Sequence, residues 1–112
     1  MLVVNEGEAD ALGIDVLSAV PHLVTTLGAR GARYRGANEE FEVLAPRVEP
    51  VDTTGAGDAF AGALAVAWAG GAPPREAVQQ ACAAGALATQ IHGAGSPTAE
   101  QIDELVTATY HG

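Results

Sequence analysis

Short apolar runs separated by polar breaks fill the first half of the chain, and helical patterns fill the second. Leu2–Val4 is a short apolar run that predicts a buried strand at the very start. Glu6–Leu12 and Asp15–Val20 read as short helical pieces separated by Gly13, and His22–Leu27 is a second strand closed by Gly28. Strand, helix and strand in this order favour parallel pairing through a right-handed crossover. Ala32–Arg35 and Glu39–Leu44 flank Gly36-Ala37-Asn38, which predicts a hairpin, and Glu39-Glu40-Phe41-Glu42 gives it a charged outer edge. Arg47–Val51 is expected as a further strand leading into a glycine-rich turn.

Beyond that turn the pattern is helical. Ala56–Ala69 is apolar almost all round, which predicts burial between layers, with Phe60, Leu64 and Trp68 on one side and Ala59, Gly62, Ala63 and Ala67 on the other. Pro74 suits a first helical position and opens a helix over about 74–91. Gly93–Ser96 is a loop, and Thr98 with Gln101 forms a capping-box pattern that starts a last helix reaching about Tyr110. The predicted class is α/β, with the strands early and the helices late.

Composition narrows the partners. The 112 residues carry 14 Asp and Glu against 5 Arg and no Lys, a formal net charge of −9. Such a surface argues against nucleic acid and anionic membranes, which bind through basic patches. The absence of lysine removes a phosphate-binding lysine and a Schiff base from the chemistry of this chain. A single cysteine, Cys82, excludes an internal disulfide and fits a reducing, cytoplasmic setting. No apolar run reaches the ~18 residues of a membrane span. Much of the apolar share is alanine, so the core rests on few large side chains. His22 and Trp68 read as structural, and Cys82 as a packed small residue.

The chemistry concentrates in Asp52-Thr53-Thr54-Gly55-Ala56-Gly57-Asp58-Ala59-Phe60. A tight turn permitted by two glycines opens a helix, and the amides at 54–57 lack intrahelical partners. With the helix dipole they form an anion site that needs no lysine. Asp58 falls in the first turn beside it. On spacing alone, Asp52 or Thr54 reads equally as a helix cap, and Asp58 as an ordinary first-turn acid.

The whole string resembles the C-terminal signature of the ribokinase-like (phosphofructokinase-B) family of carbohydrate kinases. Asn5-Glu6-Gly7-Glu8 resembles that family's N-x-x-E motif, and Thr26-Leu27-Gly28-Ala29-Arg30-Gly31 its T-L-G-x-x-G turn. Cys82–Ser96 is similar to the region that closes over the adenine and a monovalent cation. The resemblance covers nearly the whole chain and implies a ribokinase-like, partial, mostly parallel sheet with a hairpin and packed helices. Residues 1–112 are then the C-terminal nucleotide-binding and catalytic portion, without the N-terminal part and lid.

It also implies roles. Asp58 is expected as the general base toward the acceptor hydroxyl, and Gly55, Ala56 and Gly57 as the anion hole. Thr26, Gly28 and Gly31 are expected to line the ATP site, and Asn5 and Glu8 to organise Mg²⁺ and its waters. Asp52, Thr54 and Ser96 are expected to hold a K⁺-like ion. Acceptors within the resemblance run from ribose and fructose to 2-keto-3-deoxygluconate and nucleosides. The dipole stabilises charge on Asp58, so orientation of the nucleophile outweighs basicity in its role, as a loose phosphoryl transition state allows.

Family members carry a longer N-terminal part, so a fragment, a natural truncation or a split subunit is expected. An uncovered sheet surface, first of all the opening strand, is expected to favour homo-oligomerisation or association. Two functions stand: the catalytic half of an ATP-dependent sugar kinase, or a nucleotide-binding or interaction module that turns over nothing alone.

Overall fold

The computed structural model describes residues 1–91 and 96–111. A four-stranded sheet in the order β1-β2-β3-β4 is built from β1 (Leu2–Asn5), β2 (Leu23–Thr26), β3 (Gly31–Arg35) and β4 (Glu40–Leu44). Two short helices, α1 (Glu6–Leu12) and α2 (Ile14–Ser18), connect β1 to β2. Three longer ones follow: α3 (Ala56–Ala69), α4 (Pro74–Ala88) and α5 (Ala99–Tyr110).

The β1–β2 pair is parallel, with Asn5 opposite Thr26, while β2–β3 and β3–β4 are antiparallel. The α/β class stands, and within this chain the sheet is mixed rather than mostly parallel. The reason is local: the three-residue turn Gly28–Arg30 and the hairpin closed by Arg35 opposite Glu40 both reverse the chain within a few residues. β1 and β4 are the sheet edges. Glu40 and Glu42 are exposed on β4, so charge guards that edge.

The core is formed by Val24, Ala32, Tyr34 and Val43 of the sheet, with Phe60, Leu64 and Ala67 of α3 and Ala77, Val78, Ala81 and Cys82 of α4. His22 acts structurally: its Nδ1 lies 2.8 Å from the Tyr34 hydroxyl, and its ring meets Trp68 edge-on. Burial, aided by Glu39, pushes the Tyr34 phenol up. Cys82 is packed as expected, and burial pushes its thiol up to about 12.

Two expectations are corrected. Arg47–Val51 is not a strand. Pro50 removes a ladder donor from this stretch and Pro46 immediately precedes it, and the Val51 and Asp52 amides both donate to the Thr89 carbonyl at the end of α4, at 2.7 and 2.8 Å. Nor is α3 covered on both sides. Leu64 is fully buried, whereas Val66 is 75% exposed. Its apolar composition therefore exceeds what α4 and the sheet of this chain bury. No helix among the described residues is long and apolar enough to cross a membrane.

Candidate active site

The turn that opens α3 is built by three local features. The Asp52 carboxylate accepts the Thr54 amide at 2.8 Å, closing a tight bend. Gly55 then sits in the left-handed region at φ 80° and ψ −1°, a conformation glycine adopts without steric cost. The Ala59 amide bonds back to the Gly55 carbonyl at 2.9 Å, and the helix runs on from there.

Of the four amides expected to face an anion, two are engaged. Thr54 donates to Asp52, and Ala56 makes a long 3.3 Å bond to the Thr53 carbonyl. The amides of Gly55 and Gly57 find no acceptor among the described residues, nor does that of Asp58. Free donors at a helix start, in line with its dipole, suit an oxyanion. A Cβ added at Gly57 would meet nothing among the described residues within 4 Å, so the turn is not crowded on that side.

Asp58 is exposed, forms no ion pair among the described residues, and lines a groove of about 590 Å³ together with Thr54, Gly55 and Ser96. The groove continues along the small side chains of α3 (Gly62, Ala63) to Val66, and is walled by Gln80 of α4 and by Ile102 and Asp103 of α5. The two α5 wall residues have no motif around them; their place follows from the capping box. There Thr98 Oγ1 accepts the Gln101 amide at 3.1 Å, and Gln101 Oε1 accepts the Thr98 amide at 2.8 Å. Of the loop expected at Gly93–Ser96, only Ser96 is among the described residues, and His92 also lies outside them.

The remaining site residues gather elsewhere, at one end of the β1–β2 pair. Asn5 and Glu8 form a reciprocal cap on α1: the Asn5 side chain accepts the Glu8 amide at 2.7 Å, and Glu8 Oε1 accepts the Asn5 amide at 2.9 Å. The expected metal-organising pair thus also has a structural role, which leaves the second carboxylate oxygen of Glu8 uncommitted among the described residues. Thr26, opposite Asn5, sends its hydroxyl to the Val4 carbonyl at 3.4 Å. Gly28 and Gly31 both hold positive φ, at 64° and 123°, around the turn that carries Arg30. No residue of this second group lines the α3 groove.

No cluster of three or more His, Cys, Asp or Glu able to hold a metal exists among the described residues. A dedicated protein cage for Mg²⁺ is therefore not what these side chains form. An exposed carboxylate with a free oxygen at Glu8 fits the looser arrangement in which Mg²⁺ keeps waters and leans on substrate phosphates. Thr54 and Ser96 share the groove and Asp52 braces Thr54, an oxygen-rich set that suits a monovalent cation.

The chain matches the pfkB family carbohydrate kinase description over residues 2–101. It is 39% identical over 114 residues to the ribokinase of Bacillus subtilis, covering 95% of this chain and 39% of that protein. It is 41% identical over 93 residues to the aminoimidazole riboside kinase of Salmonella typhimurium, covering 76% and 29% respectively. A putative ribokinase II from E. coli, solved with ATP and Mg²⁺, superposes with a TM-score of 0.87 at 32% identity, covering 95% of this chain and 38% of the other. The chain belongs to the pfkB family of carbohydrate kinases and has a ribokinase-like fold. It spans about two fifths of the ribokinase it matches.

Proposed function

We propose that this chain supplies the anion site, the base and the nucleotide edge of an ATP-dependent kinase acting on a hydroxyl of a sugar or related small carbohydrate. The observation that carries this reading is that the amides of Gly55 and Gly57 have no acceptor among the described residues at the start of α3, where Gly55 and Asp58 line one groove. Asp58 accepts the proton of the acceptor hydroxyl as that oxygen bonds to the γ-phosphorus. The bond from that phosphorus to the bridging oxygen breaks, and ADP leaves. Charge gathering on the transferring group is met by the Gly55 and Gly57 amides, with Ala56 completing the backbone path around it.

Asn5 and Glu8 would hold Mg²⁺ through water at the end of β1, and Asp52, Thr54 and Ser96 would hold K⁺ behind the anion turn. When bound, these ions neutralise phosphate charge. Thr26, Gly28 and Gly31 line the nucleotide side. ATP and a sugar-type acceptor are the partners, with the cytoplasm as the compartment that holds both.

The length relation favours a second reading for the isolated chain. With about two fifths of a related kinase present, it serves as a nucleotide-binding or interaction module that waits for the rest of the domain. Both readings predict that the 112-residue chain binds ATP–Mg²⁺ weakly. They part on turnover, which the module reading sets at nil and the kinase reading restores once the remainder of a related kinase is joined. Thermal-shift titration with ATP–Mg²⁺ and ADP, with and without K⁺, tests the site. Failure of ATP–Mg²⁺ to stabilise the chain under any of these conditions refutes it.

A further inference from the structure

The arginines of this lysine-free chain are unequally free. Arg35 donates to the Val20 and Leu17 carbonyls, and Arg75 lies 4.3 Å above the Phe41 ring, so both are committed to packing. Arg30 is different. Its Nη2 donates to Glu6 Oε1 at 2.9 Å, the one ion pair among the described residues, with both side chains more than half exposed. The pair joins the turn around Gly28 and Gly31, placed on the nucleotide side above, to the first residue of α1, the helix that carries Glu8.

The backbone under Arg30 is fixed. Its carbonyl accepts the Ala45 amide at 3.2 Å, its own amide reaches the Leu27 carbonyl, and glycines at positive φ flank it. Its side chain is held only by an exposed pair of the kind that is weak and screened by salt. A polyphosphate arriving at this edge meets the carboxylates of Glu6 and Glu8 and one guanidinium whose planar fork matches phosphate oxygens.

We infer that Arg30 is the phosphate-contacting cation of the nucleotide site, and that Glu6 holds it in reserve until the phosphates of a nucleoside di- or triphosphate displace the carboxylate. This rests on the nucleotide reading and adds an exchange to it: one guanidinium with two alternative anionic partners. Glu6 is then a competitor of the ligand, not a support for it.

The test is isothermal titration of the 112-residue chain with ATP–Mg²⁺ and with adenosine, at low and high salt, with circular dichroism to confirm folding. Arg30→Gln weakens ATP about five- to tenfold at low salt and leaves adenosine unchanged, and Arg30→Lys recovers part of the loss. Glu6→Gln tightens ATP about two- to threefold, and both effects shrink at high salt. A merely structural pair gives the opposite sign, with Glu6→Gln weakening ATP and adenosine together, and that result overturns the inference. ATP binding by the wild-type chain that Arg30→Gln leaves unchanged also overturns it, while the nucleotide reading survives. No ATP binding by the wild-type chain removes both.

Discussion

Gly31 is the position where the nucleotide turn and the fold make the same demand, and Gly31→Ala separates them. Gly31 opens β3 opposite Leu44, at φ 123°. A Cβ built there falls on the Val43 carbonyl oxygen and comes within 2.8 Å of the Ala45 amide nitrogen. Both contacts are backbone atoms, one in the paired strand and one just beyond its end, so no rotamer change relieves them. Strain at positive φ costs a non-glycine residue about 1–3 kcal/mol, and forced overpacking adds about 1–3 kcal/mol. The expected loss is therefore about 2–6 kcal/mol, out of the roughly 5–15 kcal/mol that stabilises a domain of this kind. At about 4 °C per kcal/mol, the melting temperature falls by roughly 8–24 °C.

Gly28→Ala is the control. Its φ of 64° is also positive, but an added Cβ meets nothing within 4 Å. The cost there is about 1 kcal/mol, since the left-handed penalty is partly offset by a stiffer unfolded chain. Urea and thermal unfolding followed by circular dichroism give both values. If the two variants unfold within about 1 kcal/mol of each other, then the contact with β4 does not set the need for glycine at position 31. Because Gly28→Ala keeps the fold, any loss of ATP binding it causes reports on the ligand rather than on the scaffold.

Three more expectations can be checked alongside. In a chimaera that joins this chain to the part of the Bacillus subtilis ribokinase outside the match, Asp58→Asn lowers kcat about 10²–10⁴-fold with little change in nucleotide affinity. Steady-state kinetics decide this, and near-normal kcat refutes the base assignment. Gly57→Val in the same chimaera leaves folding intact, since space surrounds the site, but it crowds the free amide and raises KM for ATP or lowers kcat; wild-type kinetics count against an anion role. Burial holds the Cys82 thiol at about 12 against 9 for the unshifted group. Between these values the unfolded chain has released a proton that the folded chain keeps. Stability is therefore full below pH 9 and falls by about 1.4 kcal/mol per pH unit above it. Buried Tyr34 adds to the fall at still higher pH. Urea midpoints that stay flat from pH 8.5 to 11 would refute this.

Elements fixed by short-range chemistry were legible in the sequence. The hairpin at Gly36-Ala37-Asn38 and the Thr98–Gln101 cap need only neighbouring residues, and both formed where the pattern placed them. Asn5 and Glu8 form a cap of the same kind that the N-x-x-E resemblance does not announce, and it gives these residues a local role independent of any metal. Long-range competition was not legible. Arg47–Val51 has strand-like residues, but its end is captured by the Thr89 carbonyl, a partner some forty positions away. Likewise, the apolar periodicity of α3 shows that it is to be covered, not what covers it. Asp58 and the glycines around it announced a site by motif, whereas the groove wall from Gln80, Ile102 and Asp103 depends on how three helices pack.

That packing explains a composition that otherwise looks like a weakness. Alanine buries little area, yet the face of α4 that meets the core is largely alanine: Ala77, Ala81, Ala83, Ala84 and Ala88. Small side chains let the helix axes approach closely. A Cβ placed at Gly85 would lie 3.4 Å from the Ala56 carbonyl and 3.6 Å from Phe60 Cβ, so α4 sits directly beneath the first turn of α3. Four residues further on, the Thr89 carbonyl takes the Val51 and Asp52 amides. Asp52 so placed takes the Thr54 amide, and that bend sends Gly55 into the left-handed region. The anion turn is thus held from behind by α4 and from within by the Thr54 amide, and the amides of Gly55 and Gly57 take no part in holding it among the described residues. A larger residue at Ala81 or Ala84 would gain apolar area while lifting α3 away from α4. The turn would loosen even if the protein became no less stable, because its geometry depends on the helix spacing more than on the total area buried.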